Sequence, residues 1–100
     1  MPKVLFTLLK SPFEKDETHI MDKLSGNNEK GVLLLEDAVY YAAIEQIRKD
    51  LLSKNYSIFA IKEELEARGY EKFSAKGIEV VDYDTAIDII MEKFDRVISL

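Results

Sequence analysis

The chain has 100 residues, of which 47% are hydrophobic and none is cysteine. This length matches a single domain, and the apolar fraction is sufficient for a core without disulfides. The net charge of −5 disfavours binding to nucleic-acid phosphates or anionic membranes. The lack of cysteine excludes thiolate metal sites and every cysteine-nucleophile or persulfide mechanism. We expect one cytoplasmic domain over residues 1–100, with no targeting or membrane-spanning segment.

Five short apolar runs predict the strands of a buried sheet. Helical patterns lie between successive runs, which gives the order β-α-β-α-β-α-β-α-β. Strict alternation of this kind predicts an α/β fold, with a mainly parallel five-stranded sheet and helices on both faces. The predicted strands are Val4–Leu9, Gly31–Leu35, Ser57–Ile61, Ile78–Val81 and Arg96–Ser99.

Capping residues predict where the helices begin. Ser11-Pro12-Phe13-Glu14 has the form of a capping box, and Asp16 is an alternative start. Asp37 is placed to cap one long second helix, and Asp84 to cap the last helix. Acidic residues from Glu63 onward and a closing glycine bound a short third helix. The apolar positions at helical spacing are Phe13, Ile20, Met21 and Leu24, then Tyr40, Ile44, Ile47 and Leu51, and finally Ile87, Ile90, Met91 and Phe94.

Parallel α/β sheets bind ligands beyond the carboxyl ends of their strands. That edge of the predicted sheet is acidic and has no glycine-rich phosphate loop, so no nucleotide or other cofactor is expected. The residues that we single out there as a ligand or partner rim are Ser11, Asp37, Tyr40, Tyr41, Lys62 and Asp82.

Three groups of side chains have both a chemical and a structural interpretation. Glu36 and Asp37 form a possible catalytic carboxylate pair, but a helix cap at Asp37 is favoured. Asp82, Asp84 and Asp88 offer oxygen ligands to a hard cation, but again a cap and an exposed helix are favoured. The single histidine, His19, has no partner ligands and is interpreted as a surface or interface residue. We predict no catalytic residue and no metal site.

Four segments, in chain order, resemble the TusB/DsrH family. Leu5–Phe13 is similar to the opening strand of that family and its Ser-Pro-aromatic turn. Leu33–Ala43 resembles the family's apolar strand and the segment after it, with Ala38 where glycine is usual. Phe59–Gly69 is similar to its YAL-x-x-D-x-x-ARG stretch, and Ile78–Tyr83 to its I-x-x-I-D-Y strand end. Together the four matches cover most of the chain.

The resemblance implies a three-layer α/β/α sandwich of the DsrE/DsrF/DsrH-like kind and a role in sulfur relay, in tRNA 2-thiouridine synthesis or in sulfur oxidation. In the tRNA pathway the persulfide cysteine belongs to the TusD-type subunit. Some DsrH-type members carry a cysteine in the helix after the Ser-Pro turn, where this chain has Thr18–Met21. We therefore expect a subunit that is not itself an enzyme, with DsrE/DsrF-like (TusD/TusC-like) subunits or itself as partner. The alternative is a stand-alone module that binds a small molecule at the acidic rim.

Aromatic residues beside a strand end are good interface anchors. We expect an oligomer contact around Tyr40, Tyr41 and Ile44, with Phe13 as a secondary candidate. The competing interpretation is that all four side chains belong to the core.

Overall fold

A five-stranded sheet, parallel throughout, forms the centre of the structure, a computed structural model that describes residues 2–100. Its strands lie in the order β4-β3-β2-β1-β5, so the chain starts inside the sheet, runs to one edge and returns to the other. The alternation of strands and helices in the sequence predicted this α/β class correctly. The strands are β1 Lys3–Leu8, β2 Glu29–Leu34, β3 Ser57–Ile61, β4 Ile78–Val81 and β5 Arg96–Ser99.

Helical segments follow each of the first four strands. A 3-10 helix precedes α2, and α5 continues into a π-helical turn. The helices are α1 Thr18–Ser25, the 3-10 helix Glu36–Val39, α2 Tyr40–Ala43, α3 Glu45–Ser53, α4 Lys62–Ala67, α5 Tyr83–Asp88 and the π-helical turn Ile89–Lys93.

Two hydrophobic cores lie on opposite faces of the sheet, which makes the fold a three-layer sandwich. Successive strand residues point to opposite faces, so Val4 and Phe6 enter the larger core and Leu5 enters the smaller one. The larger core packs against α1, α2 and α3, and the smaller core against Ala86 and Ile89 of the α5 segment. The prediction of helices on both faces is therefore confirmed.

The first helix does not begin at the predicted capping box. Ser11 instead forms a tight turn in which its carbonyl accepts hydrogen bonds from the amides of Glu14 and Lys15, both at 3.2 Å. The helix begins at Thr18, two residues after the alternative start at Asp16, and its N-cap residue Glu17 makes no side-chain cap. Asp16 contacts the first residue of the helix, because its Oδ1 accepts from the Thr18 amide (2.9 Å) and hydroxyl (2.6 Å). These bonds from Thr18 lower the pKa of Asp16. Phe13 is left outside the helix and is 76% exposed.

The predicted long second helix is broken, and Asp37 does not cap it. The chain is extended at Ile44 (φ −88°, ψ 116°), which separates α2 from α3. A break leaves helix carbonyls without their usual partners. The side chain of Arg48 supplies one partner, because its Nη1 donates to the carbonyl oxygen of Ala42 at 2.8 Å.

The last helix is capped two residues earlier than predicted. Asp82, not Asp84, accepts a hydrogen bond from the Thr85 amide at 2.8 Å. This bond lowers the pKa of Asp82. Of the apolar positions predicted for this helix, Ile87 and Met91 are exposed, whereas Ile90 packs on the smaller core.

Candidate functional site

The topology brings the predicted rim residues to one edge of the sheet. Asp37 and Tyr40 follow β2, while Lys62 follows β3 and Asp82 follows β4. In parallel strands these positions all lie at the carboxyl edge. Ser11 follows β1, but it is buried and is occupied in the turn described above.

A network of paired charges holds this edge together. Both Nε and Nη2 of Arg68 contact Oδ1 of Asp37, at 2.9 and 2.8 Å. Nη1 of the same guanidinium lies 3.3 Å from Oε1 of Glu64 and donates to the Glu64 carbonyl at 3.0 Å. Arg68 thus joins α4 to the segment after β2. Its pKa is raised, because these two carboxylates outweigh the effect of partial burial.

The carboxylate of Glu64 also holds the backbone at Glu36. The Glu36 amide donates a hydrogen bond to Oε2 of Glu64 at 2.9 Å. The φ of Glu36, 46°, lies in the left-handed region, which a residue with a side chain rarely adopts. Such a backbone persists only where surrounding contacts hold it, and here Glu64 provides that contact.

Tyr83 extends the network to the first turn of α5. The carboxylate of Glu64 beside it, together with burial, raises the pKa of Tyr83 to about 12. The Tyr83 hydroxyl is thus placed to donate a hydrogen bond to that carboxylate. We call Glu36, Asp37, Glu64, Arg68 and Tyr83 the carboxyl-edge cluster.

Tyr41 is a core residue, so its predicted place in the partner rim is wrong. Its side chain is fully buried, and its hydroxyl accepts from the Glu17 amide (3.2 Å) and donates to the Lys15 carbonyl (3.0 Å). Burial raises its pKa. Its neighbour Tyr40 is half-buried and packs edge-on against Tyr70, with ring centroids 6.2 Å apart.

The carboxyl-edge cluster contains paired charges and a phenol. The chain has no cysteine, and His19 lies exposed on α1. Within residues 2–100, no three His, Asp or Glu side chains are grouped closely enough to hold a metal ion. Asp37 binds Arg68 and Asp82 caps α5, so both have a structural role.

Sequence reasoning missed Glu64, Arg68 and Tyr83 as members of this edge. Glu64 was included only among the acidic residues at the start of the short third helix, and Arg68 was not singled out. A usable signal was the spacing of four between them, which places both on one side of a helix. That Arg68 reaches Asp37, and Glu64 the amide of Glu36, depends on the packing of α4 beside the 3-10 helix.

The fold and this edge define a small α/β domain with a charge-paired carboxyl edge. Residues 10–95 match the family model described as DsrH like protein. The chain belongs to this DsrH-like family, which confirms the resemblance to TusB/DsrH proteins.

Two curated relatives support the family assignment, and one solved structure supports the fold. Protein TusB of Buchnera aphidicola subsp. Baizongia pistaciae is 27% identical over 89% of this chain and 93% of its own length. Protein TusB of Buchnera aphidicola subsp. Schizaphis graminum is 27% identical over 95% and 99%, respectively. The crystal structure of the ychN protein from E. coli covers both chains fully, with a TM-score of 0.75 at 16% identity, which supports the fold alone.

No helix among residues 2–100 has the length and apolar character needed to span a bilayer.

Proposed function

We propose that this protein is a non-catalytic subunit of a cytoplasmic sulfur-relay complex, in which a DsrE/DsrF-like (TusD/TusC-like) partner carries the persulfide. Membership of the DsrH-like family over residues 10–95, in a chain without a single cysteine, is the observation that supports this most directly. A persulfide forms on a thiolate, so the transferred sulfur must be held by another chain. The pathway that we favour is tRNA thiolation, because the curated relatives are TusB proteins.

An exposed apolar stripe on the α5 segment provides a surface for such a partner. Tyr83, Ile87 and Met91 are spaced four residues apart and are 41%, 56% and 76% exposed. Residues with this spacing lie on one side of a helix. The stripe begins at the carboxyl-edge cluster, since Tyr83 belongs to both. We propose that the cluster and the stripe together form the partner surface.

The charge around the stripe favours a different chain over a second copy. Asp84, Asp88 and Glu92 lie on the same helical segment, so two copies packed through this segment would bring like charges together. Like-charge contacts across an interface are unfavourable. A partner with an apolar patch surrounded by lysine or arginine side chains fits this surface better. A hetero-oligomer with a DsrE/DsrF-like subunit is therefore favoured over a homo-oligomer.

The test is reconstitution with a cysteine-bearing DsrE-like subunit encoded beside this protein. Light scattering should show a stable complex, and labelling with sulfur-35 cysteine and a desulfurase should place the label only on the DsrE-like chain. Met91→Glu should weaken the complex by at least about tenfold, the cost expected of one central contact. Met91→Leu, which keeps the apolar contact, is the matched control.

Other outcomes would contradict the proposal. Stable label on this chain would exclude its role as a passive subunit. No complex at high micromolar concentration would refute the assembly. If Phe13→Glu disrupts the complex and Met91→Glu does not, the partner surface is at the β1–α1 loop and the assignment to α5 is wrong. Circular dichroism of each variant checks that the domain is folded.

A further inference from the structure

A cavity of about 590 Å³ lies at the amino ends of the strands, on the edge opposite the carboxyl-edge cluster. Lys3 opens β1, Glu29 opens β2 and Ser57 opens β3, and all three line it. Its volume is within the range of small-molecule sites, roughly 300–1,000 Å³. This edge was not considered in the sequence analysis, because ligand sites of parallel sheets are expected at the carboxyl ends.

Four lysines line this cavity in a chain of net charge −5, against one lining carboxylate, Glu29. Lys54 is paired with Asp22 and Asp50, and Lys3 lies 3.6 Å from Glu29. The other two lysines, Lys30 and Lys93, have no such partner. Within residues 2–100, no carboxylate oxygen lies within 4.0 Å of their ammonium groups.

The ammonium of Lys30 lies 4.7 Å from the ring centroid of Tyr56, and a cation–π contact of this kind positions a charge without neutralising it. Lys93 ends the π-helical turn and also lines the cavity. Two lysines from separate elements of the fold thus line the cavity, and in the part of the chain that the structure describes no carboxylate oxygen lies within 4.0 Å of their ammonium groups.

Aromatic rings and amide side chains complete the lining. Phe59 and Phe94 meet edge to face, with ring centroids 6.2 Å apart. Phe94 is held against β2, because a Cβ built on Gly31 would lie only 2.7 Å from its ring. Asn27 and Asn28, from the turn before β2, add hydrogen-bonding groups. A ligand here would meet both aromatic rings and cationic side chains.

We propose that this cavity binds a phosphate monoester that carries a planar ring, of about mononucleotide size. Lysine serves as a point-charge ligand for phosphate, and the phenylalanine pair offers a face for the ring. The site differs from nucleotide folds in using lysine side chains in place of a glycine-rich loop. It lies at the opposite edge of the sheet from the carboxyl-edge cluster, although Lys93 is only two residues from Met91 of the apolar stripe.

The test is a titration of the full chain, followed by amide chemical shifts at about 0.15 M ionic strength, where long-range charge effects are screened. Adenosine monophosphate, adenosine and inorganic phosphate serve as probes. Adenosine monophosphate should bind more tightly than adenosine or inorganic phosphate. Its binding should change the amide chemical shifts of residues around Asn28, Ser57 and Lys93. Lys93→Gln should weaken its binding about tenfold, the effect of one lost charge-assisted contact. Lys62→Gln, the same change at the carboxyl edge, should leave it unaltered.

Three results would overturn the proposal. These are no shifts with the monophosphate, adenosine binding as well as the monophosphate, or equal loss in Lys93→Gln and Lys62→Gln. Equal loss in the two variants would mean that affinity for the monophosphate depends only on the overall charge of the protein. Both lysines are exposed, so the variants should fold, and thermal unfolding checks this. None of these outcomes bears on whether the protein assembles with a DsrE-like subunit.

Discussion

The hydroxyl of Tyr41 and the backbone amide of Glu17 lie 3.2 Å apart, although 24 residues separate them in the chain. The same hydroxyl donates to the Lys15 carbonyl at 3.0 Å. One buried phenol therefore fastens the end of the β1–α1 loop to α2. This contact explains why a tyrosine next to a strand end faces inward, where its polar tip has two backbone partners.

Replacing Tyr41 tests this contact. Tyr41→Phe should lower the free energy of unfolding by about 1–3 kcal/mol, since it leaves the buried Glu17 amide without an acceptor. Tyr41→Glu should abolish cooperative folding, because it places a carboxylate at a fully buried core position. Urea unfolding and hydrogen exchange at the Glu17 amide measure both effects. Tyr40→Phe is the matched control, and an equal loss of stability there would contradict the assignment.

Stability at alkaline pH depends on Tyr56. Burial raises the pKa of Tyr56 well above 10. The carboxylate of Asp22, which accepts a hydrogen bond from the Tyr56 hydroxyl at 2.8 Å, raises that pKa further. A group whose folded pKa is raised contributes stability below its unfolded pKa, and this contribution is lost as the pH rises toward the folded value. The stability of the native protein should therefore fall above about pH 10. In Tyr56→Phe the fall should be shallower, and identical slopes would refute the linkage.

Stability at acid pH depends on Asp22. Burial alone would raise its pKa, but hydrogen bonds from Lys54 and Tyr56 outweigh burial and lower it. A lowered folded pKa contributes stability above the unfolded value, and this is lost as the pH falls through the folded pKa. Asp22→Asn should thus be less stable than the native protein at neutral pH, and the difference should shrink below about pH 4. A difference that does not change with pH would contradict the charge-based explanation.

The carboxyl-edge cluster can be tested through the titration of Tyr83. Glu64→Gln removes the carboxylate that raises the pKa of Tyr83 to about 12, so that pKa should move back toward 10. Ultraviolet difference spectra of tyrosinate formation, or Tyr83 ring resonances, measure the change. Glu66→Gln, an exposed acid on the same helix, should leave the Tyr83 titration where it was. A shift of equal size in both variants would mean that the general negative potential, not Glu64, is responsible.

Substitution of Gly31 tests how closely Phe94 packs against β2 on the face of the smaller core. A methyl group there would lie 2.7 Å from the Phe94 ring and 3.2 Å from the Ser57 carbonyl oxygen. Gly31→Ala should cost about 1–3 kcal/mol of stability, the usual penalty for overpacking. Adding Phe94→Leu should recover part of this loss, because a smaller side chain relieves the closest contact. Strictly additive losses in the double mutant would show that the ring is not the obstacle.

Local sequence patterns predicted the architecture. Apolar runs such as Gly31–Leu35 and Ser57–Ile61 indicate strands buried on both faces, and their alternation with helical patterns implies parallel pairing. These features could be predicted because strand and helix periodicity are local properties of a chain. The lack of cysteine also determined, without any structure, that this chain cannot carry a persulfide.

Only the tertiary structure decided which residues act together. Arg68 pairs with Asp37 across 31 positions, and Lys30 and Lys93 meet at one cavity from distant parts of the chain. The tertiary structure also determined the helix caps. Asp82, in place of Asp84, caps α5, and Asp37 pairs with Arg68 and caps no helix. Several side chains near each end are able to cap with similar energy. Packing of the whole helix against the sheet selects among them, and no local pattern contains that information.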